Sequence, residues 1–466
     1  MSEDGLVRFL STGASYGLPG QSVERIETHC SIVFLVNDNA FKLKRPIAFS
    51  ALDYRSVEQR EAACRREVEL NRRTAPELYL GVRAIHRDSR GEFTFEDRGP
   101  AVDWVVVMRR FDQSALLDRL ADEHRLTRPL LLELADEIAR FHASAAVNRE
   151  FGGAAGLRDA IAHNRRDQQT VGSVLDGGDV EQLFVRSTHA LDRLAELLDE
   201  RRARGHVRLC HGDLRLANIC LWRGHPTLFD AIEFADALAN LDVLHDLAFL
   251  LMDLDQRGLG GQANLVFNRY LDARGDNAGL RALPLMISVR AGTRAFSIAA
   301  SSYRKADPEE RRRLADTARG LLRRAADMLQ PAAPRLVAVA GVSEAERSAV
   351  IDDLAPRFRP CPGARIVGIG SANPDVALKD AAAAVAEGYS AVVDAGSADR
   401  APWQPIDELA ARARATLIGL WLGDAHPAPP RWHVLRGAPD FKVAARALVG
   451  FGVPPLGRED LSPPRP

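Results

Sequence analysis

A short polar loop between two apolar runs, followed by a strand-like segment with carboxylates at its end, constrains this chain more than any other feature. Residues 210–221 have the sequence CHGDLRLANICL, and residues 228–234 have the sequence LFDAIEF. Transfer of a terminal phosphate to an alcohol needs a carboxylate to orient the hydroxyl and accept its proton, and it needs Mg²⁺ to neutralise the phosphate oxygens. The His, Asp and Asn of the loop, with the Asp downstream, include the residue types for both roles.

Three residues in these segments occupy positions that suit metal-assisted phosphoryl transfer. Asp213 suits the carboxylate that accepts the proton, and Asn218 lies five positions later, the spacing of the kinase catalytic loop H-R-D-L-x-x-x-N. Gly212 stands where protein kinases have Arg. Asp230 suits the metal-binding carboxylate that protein kinases carry in D-F-G. The sequence therefore predicts Asp213 as the catalytic base and Asn218 and Asp230 as metal ligands.

The pattern His-Gly-Asp-x-x-x-x-Asn, followed by Asp-x-x-Glu, resembles the aminoglycoside phosphotransferase-like branch of the protein-kinase-like fold. This resemblance covers most of residues 20–300, and the run 229–254 is similar to a bacterial subgroup in which such a kinase is fused to a P-loop domain. The alternative is an Asp and Asn turn that only caps a helix. The full set of residues at these spacings favours the kinase-like loop.

The resemblance implies an α+β two-lobed protein-kinase-like fold, with an N-terminal antiparallel sheet lobe and a helical C-lobe, followed by a smaller α/β P-loop-like domain. It also implies ATP and Mg²⁺ as cofactors and a hydroxyl group of a small molecule as the acceptor. We expect the N-lobe at 1–110, the C-lobe with the catalytic loop at 111–330, a degenerate P-loop NTPase-like domain at 335–455 and a disordered tail at 456–466.

A predicted hairpin near the N-terminus carries two lysines on its second strand. Residues 31–36 and 40–44 are two β-runs joined by a polar turn. Lys42 and Lys44 share one face of the strand, because side chains alternate with period 2. In kinases such a Lys binds the α- and β-phosphates and pairs with a Glu on the next helix, where Glu67 matches. The family alignment favours Lys44 over Lys42, and the alternative for either lysine is a solvated strand edge.

A further strand is a candidate for the hinge that would bind the adenine. Residues 102–108 form an apolar run that ends in Val107 and Met108 and continues into a basic segment. The backbone at such a strand end would hydrogen-bond the base, so both residues are nucleotide-binding candidates. Val and Met at this position are equally typical of an ordinary core.

From residue 116 onward, apolar residues recur at helical spacing. His142 lies on one such stretch and is expected to be packed rather than to bind a ligand. Asp242 and Asp246 lie four positions apart, which predicts one helix face. In the resembled family this pair braces the catalytic loop, so we expect a structural role, with metal binding as the alternative.

The last third of the chain begins after the Pro-rich break at residues 330–334. A buried-strand run at 335–341 then leads to a segment placed like a Walker A loop that opens a helix. A P-loop needs glycines and a Lys around the phosphates, but here Arg347 replaces the Lys and Glu344 and Glu346 occupy glycine-like sites. The sequence predicts a P-loop-like fold with the phosphate site lost, and the alternative is an unrelated α/β domain.

Composition and charge exclude several classes of function. The formal net charge of -1 gives no overall field toward nucleic acid or an anionic membrane. Five cysteines without a C-x-x-C pair indicate neither a disulfide framework nor a zinc site. The start of the chain is acidic where a signal peptide is basic, and no apolar run approaches a membrane span. We therefore expect a cytoplasmic protein that binds neither nucleic acid nor membrane.

Two functions remain open at this stage. The first is an ATP- and Mg²⁺-dependent phosphotransferase acting on a small molecule. The second is a nucleotide-sensing pseudokinase that passes a signal through the degenerate C-terminal domain. The intact catalytic-loop pattern favours the first, because a regulatory module would not require it.

Overall fold

The computed structural model describes residues 3–28, 30–49, 52–168, 174–341, 343–369, 374–397, 403–423, 431–436 and 441–451. The α-helices are α1 (Glu3–Leu10), α2 (Val57–Asn71), α3 (Leu117–Asp122), α4 (Arg128–Ser144), α5 (Gly153–Gln168), α6 (Gly177–Ala203), α7 (Asp236–Ala239), α8 (Val243–Gln256), α9 (Gly260–Arg274), α10 (Leu283–Tyr303), α11 (Pro308–Met328), α12 (Glu344–Leu354), α13 (Pro374–Ala386), α14 (Trp403–Ala413) and α15 (Phe441–Val449). The strands are β1 (Glu24–Glu27), β2 (Ser31–Val36), β3 (Asn39–Lys44), β4 (Ala48–Phe49), β5 (Leu52–Asp53), β6 (Tyr79–Arg87), β7 (Phe93–Thr94), β8 (Ala101–Arg109), β9 (Val207–Leu209), β10 (Ile219–Trp222), β11 (His225–Leu228), β12 (Asn240–Asp242), β13 (Arg335–Gly341), β14 (Arg365–Gly368), β15 (Ala391–Gly396), β16 (Thr416–Leu422) and β17 (His433–Leu435).

An antiparallel sheet forms the N-terminal part of the protein. Its six described strands lie in the order β1-β2-β3-β8-β6-β7. The hairpin of β2 and β3 pairs Ser31 with Lys44 and Val36 with Asn39, which confirms the prediction. Asn37 in its turn has a φ of 47°, a left-handed conformation that Asn tolerates better than most residues. The fold class predicted for this part of the chain, an antiparallel sheet followed by helices, is also confirmed.

The two faces of this sheet pack against different helices. Phe41 and Val105 share a core cluster with Leu10 of α1, whereas the adjacent Val106 packs with Val68 of α2. Fully burying an apolar side chain of this size stabilises the fold by about 1.5–3 kcal/mol. A slip of one residue would move every apolar side chain to the wrong face. The apolar pattern therefore fixes the register of β3 and of its two lysines.

Helix α2 brings a carboxylate to the sheet. It begins with a capping box in which the Ser56 side chain accepts the N–H of Gln59 and the Gln59 side chain accepts the N–H of Ser56. Its sequence has neither Gly nor Pro, the two residues with the poorest helix propensity. Glu67 lies on its buried face and is 0% exposed. A buried charge of this kind needs an oppositely charged partner.

Two short two-stranded sheets frame the polar loop. β9 pairs with β12, and β10 pairs with β11, both antiparallel. β9 leads into the loop, and the loop ends where β10 begins. Because Ile219 pairs with Leu228, the residues just before β10 and just after β11 lie at the same end of the hairpin. The pairing therefore brings Asn218 and Asp230 to one region.

The chain divides into two compact units. The first contains Met1–Glu133, Arg140–Gly152 and Gly205–Asp246, and the second contains Leu134–Ala139, Gly153–Arg204 and Leu247–Pro466. The first unit contains the polar loop together with the sheet and α2, and the predicted domain limits stay predictions. Arg73, just after α2, donates to the carbonyl oxygens of Leu209 and Cys210 at 2.6 and 3.2 Å.

Helices dominate the first part of the second unit. The Phe184 ring of α6 stacks on the Phe296 ring of α10, with centroids 5.9 Å apart. Ser288 of α10 donates to the carbonyl of Ala325 in α11 at 2.7 Å. Helix α5 was not predicted, and its Gly-rich first turn weakens the helical signal in the sequence. Among the residues that the structure describes, no helix is both long and apolar enough to cross a membrane.

A parallel sheet forms the C-terminal part of the second unit. Its five described strands lie in the order β14-β15-β13-β16-β17. Helices α13 and α14 cover one face, and α12 and α15 cover the other. Cover on both faces explains the continuous apolar run of β13. The predicted α/β architecture is confirmed, its P-loop character stays a prediction, and the predicted tail at 456–466 lies outside the described residues.

Buried polar contacts join this parallel sheet to α9 within the second unit. The Asn264 side chain donates to the carbonyl of Ala364 at 2.9 Å. The Asn268 side chain accepts the N–H of Ile366 at 2.7 Å and a guanidinium N–H of Arg365 at 3.1 Å. Arg365 is only 2% exposed. Because buried polar groups are costly when unpaired, these contacts favour a single docked position for β14 on α9.

Candidate active site

The polar loop is held by a buried carboxylate that arrives from α8. Asp246 accepts the backbone N–H of His211 at 3.0 Å and that of Gly212 at 2.9 Å. His142 contacts the same carboxylate through Nε2 at 3.1 Å and is 0% exposed, so it is packed as expected. Asp242 is different from the prediction, because it ends β12 and accepts the N–H of Leu244 instead of lying on the helix face.

Gly212 is required by the backbone path of this loop. Its φ is 84°, in the region that favours glycine. A Cβ at this position would lie 2.7 Å from the carbonyl oxygen of Leu238. Any larger residue would therefore have to displace backbone, and the loop would lose its contacts with Asp246.

His211 connects the loop to the segment that carries Asp230. Burial lowers the pKa of His211, which favours the neutral ring. Nε2 lies 2.8 Å from the carbonyl of Phe229 and can only donate to it, while Nδ1 accepts the N–H of Asp213 at 3.3 Å. This assignment of the tautomer follows from the hydrogen-bond partners. The histidine thus orients both predicted carboxylates through their neighbouring backbone.

Asp213 and Asn218 are in direct contact. The Asn218 side-chain amide donates to the Asp213 carbonyl at 2.9 Å and to its carboxylate Oδ2 at 2.8 Å. Arg215 adds a bidentate pair, with Nε to Oδ1 at 2.7 Å and Nη2 to Oδ2 at 2.8 Å. Arg215 was not among the predicted site residues. The sequence feature that could have identified it is its basic side chain two positions after the candidate base.

Asp230 lies beside them at the end of the β10–β11 hairpin. The backbone N–H of Phe229 donates to the carbonyl of Asn218 at 3.0 Å, which joins the two predicted metal-ligand segments. Asp230 has a φ of 62°, an uncommon conformation for a residue with a side chain. Its N–H donates to the Tyr79 hydroxyl at 3.1 Å, and the next N–H donates to the Asn71 side chain at 2.8 Å. Contacts from β6 and α2 therefore hold the carboxylate in place.

Both lysines of β3 contact Glu67. Lys42 Nζ lies 2.9 Å from Oε1 of Glu67 and 2.5 Å from Oδ1 of Asp230. Lys44 Nζ lies 2.7 Å from Oε2 of Glu67 and also contacts Glu233. The side chain of Lys44 is 1% exposed, whereas that of Lys42 is 13% exposed and that of Asp230 is 41% exposed. Lys42 is thus the lysine that faces the open end of the cluster.

Glu233 and Tyr54 complete the buried end of this cluster. The Tyr54 hydroxyl donates to Glu233 and lies 3.4 Å from Lys44 Nζ. Neither residue was among the predicted site residues. Glu233 was visible in the sequence as the Glu of the Asp-x-x-Glu pattern, whereas Tyr54 follows the short β5 and carries no sequence signal that we can identify.

The cluster fixes the charge states of its members. Burial alone would lower the pKa of Lys42, but Asp230 and Glu67 raise it well above its ordinary value. Lys44 behaves in the same way, with Glu233 and Glu67 opposing burial. Burial raises the pKa of Glu67, but the two lysines outweigh that effect and lower it to about 2. All three groups are therefore charged at neutral pH.

The two hinge candidates occupy β8. Met108 is 7% exposed and belongs to the core cluster on the α2 face, whereas the preceding Val107 packs against the cluster on the α1 face. The N–H groups of Arg109 and Arg110, which follow them, donate to the carbonyls of Leu78 and Asp38 at 2.8 Å each. Their role as hinge residues stays a prediction.

The Walker A-like segment of the C-terminal sheet has a different arrangement. Arg347 donates through Nη1 to the carbonyl of Gly341 at 2.6 Å and through Nε to Asp394 at 2.7 Å. Asp394 lies near the end of β15, beside β13. Glu344 and Glu346 are exposed in the first turn of α12. The basic residue in the position of the Walker Lys is thus engaged inside the protein.

Several solved structures are similar to this chain. They include a choline/ethanolamine kinase family protein from Mesorhizobium loti (TM-score 0.42, 15% identity, 66% of this chain and 88% of that chain). Another is amicoumacin kinase hAmiN in complex with AMP-PNP, Ca²⁺ and Ami (TM-score 0.41, 12% identity, 69% of this chain and 94% of that chain). A third is a thermostable mutant of aminoglycoside phosphotransferase APH(4)-Ia (TM-score 0.41, 16% identity, 68% of this chain and 98% of that chain). All three TM-scores are low.

A comparison with models of protein families found no match. Curated proteins of mycobacteria are more similar to the chain. "Uncharacterized protein Rv2004c" of Mycobacterium tuberculosis and "Uncharacterized protein Mb2027c" of Mycobacterium bovis are each 31% identical over 434 residues, which is 91% of this chain and 80% of theirs. The similarity spans both the kinase-like part and the C-terminal sheet. The chain therefore belongs to the same protein family as these mycobacterial proteins.

Proposed function

We propose that this protein transfers the γ-phosphoryl group of ATP to a hydroxyl of a small molecule. The observation that carries the proposal is the convergence of three sequence-distant segments in the first unit. Asn218 contacts Asp213, its carbonyl accepts the N–H of Phe229, and the adjacent Asp230 pairs with Lys42. A base, two oxygen ligands and a lysine thus lie in one connected cluster.

The side chains in this cluster suit a nucleotide with Mg²⁺. Mg²⁺ prefers oxygen ligands and binds through one or two carboxylates together with substrate phosphates. Asp230, with its 41% exposed side chain, and the amide oxygen of Asn218 would supply such ligands. When bound, the metal neutralises charge on the phosphate oxygens. The protein's part is to hold the two side chains at one end of the β10–β11 hairpin.

Asp213 would act on the acceptor. The hydroxyl donates its proton to the Asp213 carboxylate while its oxygen forms a bond to the γ-phosphorus. The bond between that phosphorus and the bridging oxygen breaks, and ADP leaves with the electron pair. Asn218, which donates to Asp213 Oδ2, orients the carboxylate for this transfer.

Lys42 is the better candidate for the phosphate contact. The family alignment favoured Lys44, but the side chain of Lys44 is 1% exposed and contacts Glu67, Glu233 and Tyr54. Lys42 instead faces Asp230, next to the proposed metal. We therefore assign the α- and β-phosphates to Lys42, with Glu67 as its partner, and we keep Val107 and Met108 as hinge residues for the adenine.

The C-terminal sheet takes no part in this reaction in our proposal. Arg347 is paired with Asp394 and with the Gly341 carbonyl, so a nucleotide would have to displace an internal ion pair. The exposed carboxylates of Glu344 and Glu346 would also repel it. We propose that this part of the chain is a degenerate P-loop-like domain without phosphotransfer activity.

A turnover assay on the full chain tests the proposal. The protein is incubated with γ-labelled ATP, Mg²⁺ and a panel of aminoglycosides, sugars and amino alcohols, and the labelled product is measured. Asp213→Asn should lower transfer at least about 100-fold, the effect typical of losing a general base, and should still bind ATP.

The chain offers a matched control for this substitution. Asp53 and Arg55 form the same bidentate Asp-x-Arg pair at 2.9 and 2.7 Å. Asp53→Asn should therefore leave transfer unchanged within about twofold, as for a surface substitution. Transfer that survives Asp213→Asn would contradict the proposal.

One observation favours a second function, nucleotide sensing without transfer. Both carboxylate oxygens of Asp213 are engaged, Oδ1 by Arg215 and Oδ2 by Arg215 and Asn218. A base that stayed bound in this way would not accept a proton from an acceptor. Calorimetric titration with ATP and Mg²⁺, beside the turnover assay, separates the two functions: binding without transfer to any panel member supports the sensor.

A further inference from the structure

The proposed site contains one more lysine than a single nucleotide contact requires. Charged side chains alternate in sign along a chain of contacts from the exposed end to the buried end. The order is Asp230, Lys42, Glu67, Lys44 and Glu233, with the Tyr54 hydroxyl on the last carboxylate. Exposure of these side chains falls from 41% at Asp230 to 0% at Glu67 and 8% at Glu233.

If Lys42 were the only partner of Glu67, this lysine would have to neutralise a buried carboxylate and also bind a nucleotide. A fully buried carboxylate must be neutralised, and removing its only partner is strongly destabilising. The same lysine would have to attract the phosphates of a nucleotide. Because Coulomb interactions add pairwise, the negative charge of Glu67 repels the same phosphates that Lys42 attracts. A second cation on Glu67 would therefore strengthen the net attraction of the site for the nucleotide.

Lys44 is placed to resolve this conflict. Its Nζ binds the second oxygen of Glu67 at 2.7 Å, opposite the oxygen that Lys42 binds at 2.9 Å. Its other contacts, Glu233 and Tyr54, lie at the buried end, so it is held away from the nucleotide side. The two lysines therefore have different roles, because one faces inward and the other faces Asp230.

We propose that Lys44 is a positioning residue that neutralises Glu67 and so makes the charge of Lys42 available to the nucleotide phosphates. This inference rests on the proposed function and deepens it. Glu233 and Tyr54 act on Lys44 and not on the nucleotide. The role predicts an effect that depends on the phosphates of the ligand, which a purely structural role would not show.

The test compares two ligands, ATP with Mg²⁺ and adenosine, by calorimetric titration of the full chain. Lys44→Met should weaken the affinity for ATP with Mg²⁺ at least about tenfold, because Lys42 then faces Glu67 alone. It should leave adenosine affinity within about twofold, because adenosine lacks phosphates. An unchanged ratio of the two affinities would overturn the proposal.

A matched control is the buried ion pair of Arg60 with Asp103. Arg60 lies on the same helix and pairs with Asp103 of β8 at 2.8 Å, with side chains 6% and 3% exposed. It also donates to the backbone carbonyl of Tyr54 at 2.9 Å, but its ion pair is with Asp103 and not with a charged side chain of the cluster. Arg60→Met should lower stability without changing the ratio of the two affinities. A ratio that falls equally in both variants would mean that loss of any buried pair on α2 is sufficient, and the proposal would be wrong.

Glu233→Gln keeps the question decidable if Lys44→Met does not fold. This variant removes the carboxylate that competes for Lys44, so Glu67 should be neutralised at least as well. Affinity for ATP with Mg²⁺ should stay the same or rise. A selective loss of about tenfold or more would mean that Glu233 itself serves the nucleotide, and the proposal would be overturned.

The wild-type titration distinguishes the two levels of inference. If the wild-type protein binds neither ligand, the proposed function fails and this inference fails with it. If it binds ATP with Mg²⁺ and Lys44→Met binds equally well, the inference about Lys44 fails while the proposed function stands.

Discussion

Two regions of this protein pair a basic side chain with an aspartate, and they do so with opposite consequences. In the first unit, Lys42 pairs with Asp230 at 2.5 Å, and the aspartate is 41% exposed. In the C-terminal sheet, Arg347 pairs with Asp394 at 2.7 Å, with side chains 9% and 24% exposed. The first pair borders solvent and has a second lysine behind it. The second pair is largely enclosed, with no such lysine among the contacts described above.

The backbone around the two pairs explains the difference further. A phosphate-binding loop presents N–H groups to its ligand. At β13 the carbonyl of Gly341 instead accepts an N–H of Arg347, so a hydrogen-bond acceptor faces a cation. The first region keeps a 41% exposed carboxylate beside its lysine, whereas the second has its charges paired inside the protein. The two regions thus differ in what their basic residue is bonded to.

The largest expected effect comes from removing the aspartate in each region. Asp230→Asn should lower phosphate transfer by about 10²- to 10³-fold, the loss typical of one preorganised charge at a transferring group. Asp394→Asn should leave transfer unchanged within about twofold. The Asp394 carboxylate pairs with Arg347 in the part of the chain that takes no part in the proposed reaction. The measurement is the turnover assay at saturating ATP with varied Mg²⁺.

An equal loss of transfer in Asp230→Asn and Asp394→Asn would contradict the proposed difference between the two regions. In that case the C-terminal sheet would contribute to turnover, and its assignment as a lost phosphate site would be wrong. Thermal unfolding of both proteins serves as the control for folding.

Low pH should destabilise the first region by protonating Glu67. Because the two lysines outweigh burial, the pKa of Glu67 falls from 4.5 to about 2. A lowered pKa stabilises the fold above the unfolded pKa, and that stability is lost as the pH falls from about 4.5 through about 2. The wild-type protein should lose roughly 3 kcal/mol from this group across that window.

Urea unfolding at a series of pH values measures this loss. Glu67→Gln should be less stable at neutral pH and should show a smaller decrease in unfolding free energy between pH 5 and about 3. The matched control is Glu61→Gln on the same helix, whose pair with Arg65 is exposed. An unchanged acid response in Glu67→Gln would show that the cluster does not hold its carboxylate in the charged form.

Arg347 should affect stability but not nucleotide binding. Arg347→Met removes the bonds to Gly341 and Asp394 and leaves the aspartate without them, which should cost about 1–3 kcal/mol. Affinity for ATP with Mg²⁺ should not change. Nucleotide binding that is lost in this variant would indicate that the C-terminal sheet is the nucleotide site. Urea unfolding and calorimetric titration provide the two measurements.

The sequence predicted the local elements well where period and spacing determine them. The β2–β3 hairpin, the helix that carries Glu67 and the strand β13 are all confirmed, because alternation and apolar runs depend only on near neighbours. The loop spacing also placed Asp213 and Asn218 in contact. What remained open was which of two lysines on one strand face is the outer one.

Long-range partners account for what the sequence could not decide. Lys42 and Lys44 are equivalent by alternation, and only Tyr54 and Glu233 make one of them the inner lysine. Asp242 and Asp246 have helical spacing, but pairing of β12 with β9 keeps Asp242 in a strand. Arg215 could be seen in the sequence as a basic residue two positions after Asp213, but the sequence did not show that its guanidinium pairs with that carboxylate. In each case the deciding contact comes from a residue or segment outside the local pattern.

The smallest expected effect distinguishes two reasons why the C-terminal loop would not bind phosphate. Glu344 and Glu346 lie exposed in the first turn of α12, where carboxylates favour the helix dipole by less than about 1 kcal/mol each. Replacing both with Gln removes the repulsion but leaves Arg347 bonded to Gly341 and Asp394. We therefore expect slightly lower stability and the same single nucleotide stoichiometry in calorimetric titration. A second nucleotide per chain would mean that repulsion alone had closed the site, and the internal ion pair would then be an effect of that loss and not its cause.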